Sequence, residues 1–346
     1  MNAHQLWFNS PYQIDIRERA LPQLAPEQIL VKTECSAISA GTEMLVYRGQ
    51  LPNDITLDAN LVSLQQPATY PLPYGYACVG QVVEIGQCID SVWLQKRVFS
   101  FQPHADYFVA TPEQLIRLPD DITPEAAIFL ANMETAVNLV QDGNPILGER
   151  SVVLGQGIVG LLLSSLLTQF PLTALYALDG IAKRRHCALA LGIEHSFDPG
   201  SDSEVADLKR RLRLPIDLTA PANAGADLIF EVSGTPDALN MAIDLCSYSG
   251  RIVMGSWYGN KAAHLQLGSA AHRNRIKFIS SQVSSIAPEL SGRWDKTRRF
   301  QTAWEMIRRV QPQQWISHRV AIDQAQTIYK LLDQSPQQVL QAIFIY

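Results

Sequence analysis

Apolar positions along the first 120 residues come in short runs cut by Pro, Gly and Asn. Residues 28–32, 76–85 and 97–101 read as strands of an irregular β-rich unit, and no helix of ordinary length is expected there. The texture changes at residue 122. Thr123, Pro124 and Glu125 make a helix start, a capping hydroxyl followed by proline at the first helical position, and a helical pattern runs on through Leu139. Strands then alternate with helices: strand 151–154, helix 158–169, strand 173–178, helix 183–191, strand 227–232, helix 235–245 and strand 251–254. Such alternation predicts an α/β, doubly wound parallel sheet covered on both faces. Beyond residue 281 the text is mixed again and closes in a strand-like run over 339–346. The expected division is a β-rich unit built from 1–132 and 281–346 around a central α/β domain at 133–280.

Gly155, Gln156, Gly157, Ile158, Val159 and Gly160 spell G-x-G-x-x-G between the first strand of that domain and an apolar helix. The pattern alone is weak; in strand–turn–helix context it predicts a Rossmann dinucleotide site. Gly155 permits the tight turn, Gly157 lets backbone approach a pyrophosphate, and Gly160 lets helix and strand pack closely. The free amides opening the helix face the phosphates. Asp179, at the end of the next strand, is placed to accept hydrogen bonds from the adenosine ribose, which favours NAD over NADP. Lys183, Arg184 and Arg185 follow at once. Arg184 in particular keeps NADP open, since a guanidinium there can pair with a 2'-phosphate, and the same run also reads as the solvated first turn of a helix.

Composition narrows the partners. The chain has 346 residues, 47% hydrophobic and 18% charged, with a formal net charge of -5, which suits an ordinary two-domain enzyme. No basic run suggests nucleic acid or an anionic membrane, so a small molecule is the expected partner. The apolar stretch 152–167 is too short and too glycine-broken to cross a bilayer. Residues 1–10 carry no secretory pattern, and a cytoplasmic location is expected. Cys35, Cys78, Cys88, Cys187 and Cys246 are single and unpaired in spacing, which argues against disulfides and structural zinc and for small buried side chains.

The whole order resembles the medium-chain dehydrogenase/reductase superfamily, of zinc-type alcohol dehydrogenase character. The resemblance is carried by 42–49 (TEMLVYRG), 75–86 (GYACVGQVVEIG), 155–160, 224–234 (AGADLIFEVSG) and 250–255, and it implies a β-rich catalytic domain like chaperonin-10 beside the Rossmann domain. It also implies a nicotinamide cofactor touched by Thr135, Ser233 and Gly255, and a homodimer. More narrowly, 36–43 (SAISAGTE), 272–275 (HRNR), 280–284 (SSQVS) and 293–299 (RWDKTRR) resemble the branch that includes bacteriochlorophyllide a dehydrogenase, which implies a secondary alcohol or its ketone on a bulky or cyclic molecule.

Where zinc-dependent relatives place their ligands, alignment by eye gives Ser39, Tyr76 and Ala131. A hydroxyl, a phenol and a methyl are poor zinc donors, so the resemblance implies a zinc-free member. Hydride transfer without a Lewis acid needs side chains to handle the oxygen's charge and proton. Thr42, Tyr76, Ser39 and Glu134 are the candidates; Thr42 matches a relay hydroxyl of zinc alcohol dehydrogenases, although Leu45 stands where the relay histidine belongs. Each has a plainer reading. Ser39 and Thr42 can serve a turn, Tyr76 can fill volume, and Glu134 can be a solvated helix residue. His104 reads as a surface-loop histidine. His272 with Arg273 and Arg275, and Arg293 with Trp294 and Arg298, read as an anion grip or as ion pairs fixing the tail. A zinc-free enone or quinone reductase and a non-catalytic dinucleotide-binding protein are the competing functions.

Overall fold

The structure, a computed structural model, describes residues 2–52, 65, 67–213 and 225–346. Ala224, which opens the segment AGADLIFEVSG, lies outside the described residues. The chain forms two compact units, 1–131 with 307–346, and 132–306.

The first unit is β-rich. Strands β1 (Asn2–Ser10) and β2 (Gln13–Ala20) form a hairpin joined by β4 (Leu72–Pro73). A seven-stranded sheet holds β3 (Ile29–Ala37), β5 (Cys78–Ile85), β6 (Arg97–Ser100), β7 (Tyr107–Ala110) and β8 (Ile116–Arg117), together with β15 (Ile316–Ala321) and β16 (Gln341–Ile345) from the end of the chain. Two short helices, α1 (Glu43–Tyr47) and α2 (Pro124–Ala127), complete its N-terminal part. The expected cap is in place: Thr123 accepts from the amide of Ala126, with Pro124 opening the helix. Helix α9 (Ala325–Gln334) buries Ala325, Ile328, Tyr329 and Leu332, one stripe at i, i+3, i+4 and i+7, against Leu6, Phe8, Met44, Leu45 and Phe344.

The second unit opens with α3, whose full span is Leu130–Gly143, and closes with α8, Lys296–Val310. Between them run β9 (Arg150–Leu154), α4 (Ile158–Leu167), β10 (Ala174–Leu178), α5 (Ala182–Ala190), β11 (His195–Phe197), α6 (Asp202–Leu212), β12 (Ala226–Glu231), α7 (Asp237–Leu245), β13 (Cys246–Met254) and β14 (Lys277–Ser280). All pairings are parallel, in the order β11-β10-β9-β12-β13-β14. That order is the doubly wound arrangement with its switch point between β9 and β12, where a dinucleotide binds. Because β9 and β12 are flanked on both sides, Val152, Val153, Ile229 and Phe230 are fully buried.

Three features depart from the pattern read in the sequence. The tail, read in the sequence only as mixed text before a terminal strand, holds two full helices, α8 and α9. Residues 281–306 belong to the second unit rather than to the β-rich one, because Arg299 on α8 is tied to Glu134 and Asn138 on α3. Of the five cysteines, Cys35, Cys78 and Cys246 are buried, but Cys88 is exposed and Cys187 half-exposed. Among the described residues no helix is long and apolar enough to cross a membrane.

Candidate active site

In the second unit the glycine loop has the geometry its residue types demand. Gly155 has φ +97°, and a Cβ there would lie 2.6 Å from the Cα of Ser233. A Cβ on Gly160 would collide with the carbonyl oxygen of Gly155. Gly157 is different: nothing lies within 4 Å of where its Cβ would be. Its openness leaves room for a ligand against the backbone, in front of the amides of Ile158, Val159 and Gly160 at the start of α4. Asp179 follows β10 and is buried. Its Oδ2 accepts from the amide of Gln156 at 2.7 Å and its Oδ1 from the amide of Ile181 at 2.8 Å. The carboxylate thus sets the glycine loop, at the end of the strand where the sequence leads one to expect a ribose contact. Arg184 approaches it at 3.7 Å, whereas Arg185 is committed to Asp198 and to the backbone oxygen of Asp179.

Ser233 and Gly255 follow β12 and β13, and the amide of Gly255 donates to the carbonyl of Glu231. The Glu231 side chain, a residue that the sequence reading passed over, is completely buried. It accepts from the amide and hydroxyl of Ser233 at 2.8 and 2.5 Å and from the hydroxyl of Tyr258. Burial and the neighbouring carboxylate both push the Tyr258 phenol far above its usual range, so it stays a donor.

Thr135 and Glu134 lie on α3. Glu134 is buried and ion-paired: Lys296 reaches it, and Arg299 donates to it at 3.0 Å. Arg299 has no exposed surface and also donates to Asn138 and to the backbone oxygens of Val283 and Ser285. The tail is therefore tied down by Arg299, not by the arginines singled out in the sequence. Arg298 instead stacks on Trp294, 4.2 Å from the ring centre, and donates to the Arg293 carbonyl at the surface. His272, Arg273 and Arg275 are all exposed, and no ion pair is seen for them among the described residues.

In the first unit three of the proposed catalytic side chains come together. The hydroxyl of Tyr76 donates to Ser39 Oγ, and Thr42 stands close enough to act on the phenol. Burial of that hydroxyl raises the phenol above its ordinary range, while the hydroxyls of Ser39 and Thr42 and the nearby Glu43 act as smaller influences. Behind this cluster lies a buried polar chain. Glu43 accepts from the amide of Ser39 at 2.7 Å, from Tyr329 and from His104 Nε2 at 3.0 Å. His104 Nδ1 is 2.7 Å from Ser36 Oγ, itself 2.9 Å from the hydroxyl of Tyr346. His104 is thus wholly buried and not a surface-loop histidine. Gly75 makes space for it, since a Cβ there would sit 2.7 Å from the imidazole. Glu43 was legible only as an acid in the apolar run Met44 to Tyr47, and its partner 61 positions away was not. Among the described residues no group of three or more His, Cys, Asp or Glu is placed to hold a metal ion. The donors at Ser39 and Tyr76 are neutral hydroxyls bonded to one another, and Ala131 offers none, so these residues do not fit zinc.

The fold and the glycine loop are those of a dinucleotide-binding domain. Comparison with known proteins narrows the class: residues 159–307 match the family of zinc-binding dehydrogenases. The chain is 24% identical over 307 residues to D-guloside 3-dehydrogenase of Escherichia coli strain K12, covering 85% of this chain and 84% of the relative. It is also 24% identical over 309 residues to (R,R)-butanediol dehydrogenase of Bacillus subtilis strain 168, covering 81% and 82%. A solved structure of a short chain alcohol dehydrogenase of Escherichia coli CFT073 complexed with NADH superposes with TM-score 0.78 at 15% identity, over 100% of this chain and 99% of that one. These similarities support the medium-chain dehydrogenase/reductase resemblance and an oxidoreductase that acts on alcohols.

Proposed function

We propose that this enzyme moves a hydride between NAD and a secondary alcohol or ketone on a bulky or cyclic small molecule, without zinc, and with Tyr76 as the proton donor. The observation that carries the reading is the Tyr76–Ser39–Thr42 hydroxyl cluster, whose phenol is held neutral by burial. When bound, the nicotinamide supplies the hydride. On the reductive path the carbonyl oxygen gains a negative charge, and Tyr76 turns its O–H from Ser39 and gives it the proton; Ser39 and Thr42 then pass a proton from solvent back to the phenolate through their hydroxyls. In the alcohol direction the same hydroxyls carry the proton away. Glu134, engaged by two cations, serves as an anchor between helices and not as the base. The relatives named for guloside and butanediol support an alcohol substrate over an enone or quinone.

The test is NADH oxidation by a panel of ketones, enones and quinones. Ketones should turn over, and Tyr76→Phe should lower kcat about 10²- to 10⁴-fold with NADH affinity unchanged. Since the folded environment raises the phenol, the donor form predominates at all lower pH. Reduction should stay flat through neutrality and decline only above about pH 10. A Tyr76→Phe enzyme of full activity would remove Tyr76 from the chemistry. Metal analysis should find well under one zinc per chain, with activity insensitive to chelators; stoichiometric zinc would overturn the metal-free reading.

A further inference from the structure

Glu231 is a completely buried carboxylate at the carboxyl end of β12, held by the amide and hydroxyl of Ser233 and by the phenol of Tyr258. Removing a carboxylate from water is costly, and these donors satisfy both of its oxygens. What the carboxylate accomplishes is mechanical: it joins the turn after β12 to the segment after β13. Two further bonds run between the same stretches. The amide of Gly234 donates to Ser256 Oγ at 2.9 Å, and Lys261 Nζ donates to the carbonyl of Gly234 at 2.8 Å.

Its place in the sheet says which part of a ligand it serves. In the order β11-β10-β9-β12-β13-β14, β9 to β11 form one mononucleotide half and β12 to β14 the other. Asp179 marks the adenosine half, so the Glu231 knot belongs to the nicotinamide half. We propose that Glu231 is a positioning residue for the nicotinamide end of the cofactor, acting through Ser233 and Tyr258. The inference rests on the reading that the 155–160 loop takes a nicotinamide dinucleotide.

Calorimetric titration of the wild-type protein, Tyr258→Phe and Glu231→Gln with NADH and with ADP tests it. NADH affinity should fall about tenfold in both variants, as expected for loss of a hydrogen bond to a charged group, with ADP affinity unchanged. ADP keeps the adenosine and the diphosphate but lacks the nicotinamide half, so a general collapse of the loop would weaken both ligands alike. Equal loss of both would overturn the inference, as would undiminished NADH binding. Tyr258→Phe keeps the ring and carries the test if Glu231→Gln fails to fold. A wild-type protein binding ADP but not NADH would remove the cofactor reading and this inference with it.

Discussion

Asp179 spends both carboxylate oxygens on backbone amides, of Gln156 and Ile181, before any ligand arrives. An oxygen of a carboxylate can accept more than one donor, so the ribose remains within its means. Replacement by Asn keeps one acceptor and removes the charge that opposes a 2'-phosphate. Asp179→Asn should therefore weaken NAD binding more than NADP binding, measured by titration of each. Equal losses would mean that the carboxylate only shapes the loop. Arg184, 3.7 Å away, is the residue freed to meet a 2'-phosphate in that variant. At this scale the glycines, Asp179 and Tyr76 could be singled out from the sequence because each sits inside a local motif. Glu43, His104, Tyr329 and Tyr346 could not, since the bonds that unite them span 61 to 310 positions and leave no local pattern.

Helix α8 is the element on which the end of the second unit depends. Phe300, Ala303, Trp304 and Ile307 form its inward stripe at i, i+3, i+4 and i+7, a legible amphipathic period. Arg299 lies fully buried beside that stripe and satisfies Glu134, Asn138 and two backbone carbonyls at once. Removing Arg299 leaves buried Glu134 with Lys296 alone and strips a donor from Asn138 and from two carbonyls, which costs up to about 3–5 kcal/mol. Arg299→Ala should lower the urea midpoint of the protein accordingly, and Lys should rescue it poorly because an ammonium lacks the planar fork. A midpoint unchanged in Arg299→Ala would show that α8 is held by its apolar face alone. Strand β11 and helix α6 escaped the sequence reading for another reason. The strand is only three residues, His195–Phe197, and the helix is mostly polar, burying Leu208 and Leu212.

At the scale of the molecule, β14 closes one side of the six-stranded sheet and has no further strand beside it among the described residues. An open edge with free amides and carbonyls is a pairing surface, and the superfamily resemblance implies a homodimer. Light scattering should give twice the 38.4 kDa chain mass, and Ser280→Pro, which deletes a donor on the open side of β14, should return it to one. A wild-type monomer would dismiss the pairing. Sequence by itself settled the parallel α/β core, because burial on both faces forces near-continuous apolar strands and the glycine loop must sit between strand and helix. It also puts a hydroxyl, a phenol and a methyl at the positions that the resemblance aligns with zinc donors, a matter of residue identity. Only the tertiary structure decided that the chain stays in the second unit until residue 306, that a buried acid and histidine back the Ser39 turn, and that Glu231 knots two loops together. Those depend on contacts between distant segments, and a carboxylate's role is fixed by the donors the fold brings to it, not by its neighbours in the chain.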